Sequence, residues 1–405
     1  MKSDPNETTV CLVDFLQSGK FFLRLAKVDL KRKYIFITHL PSVWFACLRE
    51  GVTCKLISNF FGSRDYIDLN LDETRELQCG ILNIAEADSM AARYLYTLQQ
   101  LHQEFIIRNL LIWNGQTIVG KIAKHCNEVF GLKTLFFEIS NVPGKIVVDP
   151  NGVNSESKLY ANLKKGLKLP PCNNTADYLS WKREYIGSKS HNNIVPQAIN
   201  KNRLNFYLVC DYVYALTIGY QHYSKRSFDN KNPIKKFIQK FSTKKPKIKF
   251  INDLGNITNF VFYPGQVHDD TQLLLNSKIG NIQAIKRILK TTSLCVFVKP
   301  HPAGSADEYE EFNDPIFAGR VIFTNANTFE LIMKANEVYT INSTVGLEAL
   351  IIGKKVTFFG KSLYKEIKPS DLPWFIKNYL IDVDFFSDEK GITFDDVKAI
   401  YARTI

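Results

Sequence analysis

The chain has 405 residues, 45% of them hydrophobic and 23% charged, and its formal net charge is +12. That length gives two or three domains with full-sized cores, and no apolar run approaches the length needed for a membrane span. The positive excess points to an anionic partner: nucleic acid, acidic lipid or a phosphorylated substrate.

Eight Cys are scattered without C-x-x-C spacing, which argues against a zinc site or a disulfide framework and for reduced thiols. The opening residues, Met1 to Thr9, lack the basic-then-apolar order of a signal peptide. The expectation is a cytoplasmic protein.

In chain order, Lys20–Leu25 and Tyr34–Thr38 are apolar runs, Pro41–Arg49 reads as a helix, and Val52–Ser58 as a strand. Residues 61–80 are polar and irregular. Ala85–Arg108 carries apolar residues at helical spacing (Ala91, Leu95, Leu98, Leu101, Phe105) and feeds a strand at Leu110–Trp113. After Asn114-Gly115-Gln116 a helix with Ile118, Ile122, Ala123 and Val129 runs to Gly131, and Lys133–Phe137 is the next strand. This β-α-β-α rhythm predicts a parallel sheet covered on both faces. Polar residues at strand ends, here Asn114, Gln116 and Glu138, would line the crevice at the sheet's C-terminal edge. Position alone leaves Glu138 either a loop residue or a site carboxylate. Asp149-Pro150-Asn151-Gly152-Val153-Asn154 reads as a turn.

From residue 155 the character changes. Phe206–Tyr220 is aromatic and apolar, and Lys231 to Phe250 holds eight Lys, three Phe and no acid. Such a run is either a solvated linker or a basic, aromatic surface for anionic lipid. Nucleic acid is disfavoured, because no RNA- or DNA-binding motif accompanies the charge. A second α/β unit follows, with strands at Asn259–Tyr263, Leu294–Val298, Arg320–Phe323, Val338–Ile341 and Val356–Phe359 and helices at Ile279–Leu289 and Thr328–Ala335. At Asn342-Ser343-Thr344 the strand breaks and a helix begins through Val345, Leu347 and Leu350. The two hydroxyls are either an ordinary cap or, with the free N–H groups of the helix start, a phosphate site. Lys299-Pro300-His301-Pro302, after the neighbouring apolar strand, favours the phosphate.

The order of Asn114-Gly-Gln116, Phe137-Glu138, Asp149…Asn154, Gln266-Val-His-Asp-Asp270-Thr-Gln, Lys299-Pro-His301-Pro302 and Ile341-Asn342-Ser343-Thr344-Val-Gly346 resembles that of the capsule polysaccharide synthesis proteins, the β-Kdo transferases of the KpsS and KpsC kind. The resemblance covers roughly residues 105–365. It implies an α/β, GT-B-like architecture of two Rossmann-like domains facing each other across a cleft. The domains would be 1–200 on the acceptor side, 201–250 as a basic connecting segment with membrane contact, 251–375 for the nucleotide sugar, and 376–405 as a tail packing back on the first.

It further implies a retaining glycosyltransferase that moves Kdo, a 2-keto sugar acid, from CMP-Kdo to a lipid or glycolipid of the phosphatidylglycerol type. Asp270 matches the nucleophile, with Asp269 its competitor, and Glu138 the essential carboxylate of the other domain. Lys299, His301, Pro302, Asn342, Ser343, Thr344, Gly346, Glu348, Gln266, Asn114 and Gln116 would hold the substrates. Neither a cofactor nor a metal is required, and Asp382-Val-Asp384 lies outside the matched region. The implied partners are the CMP-sugar, the lipid acceptor, an anionic membrane surface met through Lys231–Lys249, and other capsule-assembly proteins, at the inner face of a bacterial inner membrane. The family often has a second acid and then Gly after the glutamate, where this chain has Ile139-Ser140. Transfer from another CMP- or CDP-activated donor, such as sialic acid or glycerol phosphate, and a non-catalytic assembly scaffold are the alternatives.

Overall fold

The computed structural model describes residues 7–58, 69–173, 175–190, 206–219, 248–267, 271–386 and 391–404. By contacts the chain divides into two compact units, one of Met1–Lys158, Asn200–Lys236 and Leu380–Ile405, the other of Leu159–Ile199 and Phe237–Tyr379. The segment Leu159–Ile199, expected with the N-terminal domain, clusters with the second unit instead. Its polar, Lys- and Asn-rich sequence carries no signal of which sheet it will lie on.

Among the described residues, the first unit holds a six-stranded sheet of β1 (Thr8–Val13), β2 (Lys33–Thr38), β3 (Thr53–Leu56), β4 (Ile107–Trp113), β5 (Lys133–Ile139) and β6 (Ile146–Asp149) in the order β3-β2-β1-β4-β5-β6. All neighbours are parallel except β5 and β6, which are antiparallel. Side chains alternate across the pleat. Val10, Leu12, Ile35, Ile37, Leu110 and Ile112 enter one core under the helices Ile84–Glu104 and Ile118–Phe130. Cys11, Val13, Phe36, Leu111 and Trp113 enter the other under Leu16–Val28 and Phe394–Tyr401. Burial on both faces explains why these strands read as continuous apolar runs.

Two segments differ from the sequence reading. Lys20–Leu25 lies inside the helix Leu16–Val28, and the strand is upstream at Thr8–Val13. A short apolar run does not distinguish a buried strand from a buried helix turn. The strand β6 was not read from the sequence, and the expected turn begins on its last residue, Asp149, whose carboxylate accepts from the backbone N–H of Asn151 (3.0 Å) and of Lys158 (2.7 Å).

The tail belongs to the first unit. Ile146 and Ile381 exchange backbone hydrogen bonds of 2.9 and 3.0 Å. Arg24 donates to the carbonyls of Asp384 and Phe385, and Asp382 pairs with Lys145. The D-x-D is therefore occupied in fastening the tail.

The second unit repeats the plan. Its sheet runs β12-β11-β8-β9-β10-β7, with β7 (Phe250–Ile251), β8 (Phe260–Pro264), β9 (Cys295–Lys299), β10 (Val321–Thr324), β11 (Glu337–Thr340) and β12 (Lys355–Phe358), all pairs parallel. Val261 and Tyr263 face Ala284, Ile285 and Ile288 of the helix Asn281–Thr291. Phe260 and Phe262 face Leu331, Ile332 and Ala349. The strand order reverses between β1 and β4 in the first sheet and between β8 and β11 in the second. Such a reversal opens a crevice at the carboxyl ends of the strands, where open α/β sheets take their ligands.

Candidate functional site

At the reversal of the second sheet, β8 runs out into Gly265-Gln266 and β11 into Ile341-Asn342. The Gln266 side chain donates from Nε2 to Asn342 Oδ1 (2.8 Å), and its Oε1 accepts from the Asn342 backbone N–H (3.2 Å). Both residues are buried. A reciprocal pair of this kind fixes the separation of the two loops and leaves no orphaned buried amide there. Asn281, which sequence reasoning missed, completes it. Its Oδ1 accepts from the Gln266 N–H (3.0 Å) and the Tyr263 hydroxyl (2.9 Å), and its Nδ2 donates to the Gln266 carbonyl (2.8 Å) and to Glu308. Asn281 gave no signal in sequence, being one polar residue at a helix start. Gln266 and Asn342 therefore shape the crevice rather than offering free arms to it.

From Asn342 the chain turns into the helix Val345–Ile352. Ser343 Oγ accepts from the Val345 N–H (3.2 Å), and Thr344 caps no N–H with its side chain. Gly346 is required by packing. A Cβ there would lie 2.5 Å from the Phe358 ring, so only glycine lets the first helical turn sit down on β12. Glu348 is buried one turn in, where its Oε1 accepts from Lys189 Nζ (2.8 Å) and from the Tyr185 hydroxyl (3.4 Å). Both donors stand on the helix Thr175–Ser190.

The neighbouring strand β9 ends at Lys299. Pro264 and Lys299 are in register, and the Gly265 N–H donates to the Lys299 carbonyl (2.9 Å). Lys299 Nζ donates to the Ala326 carbonyl (2.8 Å) and to Thr328 Oγ1 (2.9 Å). Burial lowers its pKa from the usual lysine value. The ammonium thus braces the loop entering the helix Thr328–Lys334, and among the described residues one of its three N–H bonds has no acceptor. His301 and Pro302 are exposed. His301 Nδ1 accepts from the Ala303 N–H (3.1 Å), so the proton of a neutral ring sits on Nε2, which makes Nε2 a hydrogen-bond donor. Asp269 and Asp270 lie outside the described residues, as do Lys231 to Lys247 of the basic segment.

At the first sheet, β4 ends in Asn114, whose φ of 65° turns the chain sharply. Asn114 Nδ2 donates to Glu138 Oε1 (3.4 Å), while Asn114 Oδ1 is buried with no hydrogen-bond partner among the described residues. Glu138 stands within β5, opposite Val147 of β6, not beyond the strand's end as expected. The following helix closes against this turn at Gly120, where a Cβ would come 2.3 Å from the Gly115 carbonyl oxygen. Gln116 is buried, and its carbonyl accepts from the Arg75 N–H (2.9 Å).

The same edge carries three buried titratable residues that the sequence reading passed over: Asp14 after β1, His39 after β2, and Glu76. Glu76 Oε2 accepts from the Ile118 N–H (3.2 Å) at the start of Ile118–Phe130. Burial and then the Asp14 charge push its pKa up to about 8. Burial pushes Asp14 up to about 6, partly offset by the Arg75 charge. Burial brings His39 down to about 4, and its Nδ1 is 3.0 Å from the Tyr94 hydroxyl. A carboxyl with a raised folded pKa stabilises fully below its unfolded value and loses that contribution as pH rises through the folded one. A depressed His contributes above about 6.5 and loses the contribution as pH falls through about 4. Between pH 6.5 and 8 Asp14 and the unfolded-state His39 finish titrating, and Glu76 carries most of the change in proton balance. Over that window the protein is expected to lose roughly 2 kcal/mol of stability. Urea unfolding across the window should show the slope in the wild type and a flatter one in Glu76→Gln. An equal slope in both proteins would remove Glu76 as its source.

Comparison with known proteins adds the following. The family model described as capsule polysaccharide biosynthesis protein matches residues 110–367, more than half of the chain. Protein FixF of Sinorhizobium fredii (strain NBRC 101917 / NGR234) is 36% identical over 111 residues, covering 26% of this chain and 27% of its own. The lipopolysaccharide-processing protein LpsZ of Rhizobium meliloti is 30% identical over 110 residues, covering 26% and 25%. The chain thus spans about a quarter of the length of the curated relatives it matches. Among solved structures, the β-Kdo 2,7 transferase of Thermosulfurimonas dismutans KpsC aligns over 98% of both chains at 14% identity, with a TM-score of 0.49. Among the described residues, no helix is long and apolar enough to cross a membrane.

Proposed function

We propose that this chain, which belongs to the family of capsule polysaccharide biosynthesis proteins, is a glycosyltransferase that moves Kdo from CMP-Kdo to a phosphatidylglycerol-type lipid or glycolipid, with retention and through a double displacement. The observation that carries the reading is the second sheet's edge. A locked strand pair opens there into a helix start, and the neighbouring strand brings Lys299 and His301 to the same edge. Helix N–H groups, an ammonium and an imidazole Nε2–H suit a departing phosphate, because each stabilises negative charge without reorganising.

In the first step the Asp270 carboxylate bonds to the anomeric carbon as the bond from that carbon to the phosphate oxygen breaks. CMP leaves with the electron pair and needs charge neutralisation more than a proton. In the second step the acceptor hydroxyl attacks the same carbon, its proton passes to Glu138, and Asp270 is released. Two inversions give net retention. The chemistry asks nothing of a metal or cofactor.

Contact with an anionic membrane surface is part of the proposal. The helix Phe206–Thr217 exposes Val209, Val213 and Leu216 at the i, i+4, i+7 spacing of one face. The Lys-rich segment that follows supplies charge for acidic headgroups.

The deciding experiment is mass spectrometry of products from CMP-Kdo and a short-chain phosphatidylglycerol, with CDP-glycerol run in parallel. The expected product is the lipid plus one Kdo, with CMP released. Release of CMP from CDP-glycerol alone would replace the sugar by glycerol phosphate, and turnover of neither would leave an assembly scaffold.

A further inference from the structure

The helix Thr175–Ser190 belongs to a segment that precedes the second sheet by some sixty residues, yet it reaches the helix that follows β11. Two of its side chains end on one carboxylate oxygen. Lys189 Nζ and the Tyr185 hydroxyl both donate to Glu348 Oε1, at 2.8 and 3.4 Å. Tyr185 is itself fixed by stacking on Trp181, with ring centroids 5.2 Å apart. Burial, and then the Glu348 charge, raise its pKa above the ordinary tyrosine value, so at neutral pH the hydroxyl keeps the proton it donates.

Among the described residues nothing donates to the other oxygen, Glu348 Oε2, and it is not sealed in the core. A carboxylate held through one oxygen presents the second in a fixed direction, with its acceptor capacity unused. Thr344 and Glu348 are four residues apart and share a helix face, separated by about one turn of roughly 5.4 Å. That spacing suits a 5′-nucleotide whose phosphate rests at the helix start and whose ribose diol lies one turn on.

The geometry points to Lys189 and Tyr185 as positioning residues that aim Glu348 at the ribose hydroxyls of the bound nucleotide. They would make the helix Thr175–Ser190 the element that selects a ribonucleotide over its deoxy form. This rests on the nucleotide-site reading above and extends it to residues outside that sheet.

The test is calorimetric titration of the full chain with CMP, 2′,3′-dideoxy-CMP and UMP. The variants are Lys189→Met, Lys189→Arg and Tyr185→Phe, each checked for an unchanged far-UV spectrum and melting temperature. The wild type is expected to bind CMP at least about 10-fold more tightly than dideoxy-CMP, the worth of a charge-assisted hydrogen bond. Lys189→Met should lose that ratio by weakening CMP while leaving dideoxy-CMP unchanged. Tyr185→Phe should lose part of it, and Lys189→Arg should keep it. A merely structural role would weaken both ligands alike and overturn the proposal, as would a wild type that binds both equally. If UMP rather than CMP shows the ribose dependence, the positioning role stands and the CMP-sugar reading falls. If no nucleotide binds, both fall.

Discussion

Glu138→Gln protein exposed briefly to CMP-Kdo is expected to gain the mass of one Kdo, and Asp270→Ala protein to gain nothing. Both should be close to inactive in turnover, with losses of about 10⁴-fold or more for removal of a group that bonds to the substrate. The reasons differ. Without Asp270 no sugar can be carried on the enzyme. With Glu138 amidated, Asp270 still displaces CMP, but nothing takes the proton of the acceptor hydroxyl, so the adduct accumulates. The substitution is mild where it is made. Glutamine keeps the volume of Glu138 within β5, and its carbonyl can still accept from Asn114 Nδ2. Peptide mapping of the adduct also chooses between neighbours. A Kdo on Asp269, or one that persists in Asp270→Ala, would show that the nucleophile is the other acid, and an unmodified Glu138→Gln protein would remove the covalent intermediate.

The parts of this molecule that were legible in sequence are those where one physical signal dominates. The strands β4, β5, β8, β9 and β11 each carry an apolar stretch buried on both faces (Leu110–Trp113, Leu135–Phe137, Phe260–Tyr263, Val296–Val298 and Val338–Tyr339), which is what the sequence shows. The end of Ile118–Phe130 was equally plain, because Gly131 stops it in the left-handed conformation. β1 was passed over because a six-residue strand ahead of a helix with Phe21, Phe22, Leu23 and Leu25 buried gives two adjacent apolar runs, and periodicity did not say which was the strand. That miss hid Asp14, whose place at a strand end depends on β1 being a strand.

The candidate site was legible as a set of loops but not as a set of bonds. Gln266 and Asn342 stood out because they end strands. Their mutual hydrogen bonds join positions 76 residues apart, and no local pattern encodes such a pair. Glu348 was named as one of the residues that would hold the substrates. The structure makes it a buried carboxylate paired with Lys189, on a helix whose polar sequence had been assigned to the other domain. Gly346 was named for its motif, while its need is steric, set by the Phe358 ring.

Replacing His301 by alanine is expected to lower turnover ~10²–10³-fold, the usual cost of losing one preorganised donor to a developing charge. The fold should be unaffected. His301 is exposed, and its ring hydrogen bond is to the Ala303 N–H in a surface turn that water can satisfy. The same bond sets the chemistry, since it leaves the ring proton on Nε2, pointing the donor away from the turn. A role in stabilising the leaving phosphate makes a further demand that a general fault in the loop does not. The loss should appear in the CMP-releasing step itself, so pre-steady-state adduct formation in a Glu138→Gln background must slow with the His301→Ala change. If adduct forms at the parent rate while turnover falls, His301 serves the acceptor step instead. If folded His301→Ala keeps full activity, neither assignment survives, and the phosphate must be met by Lys299 and the start of Val345–Ile352 alone.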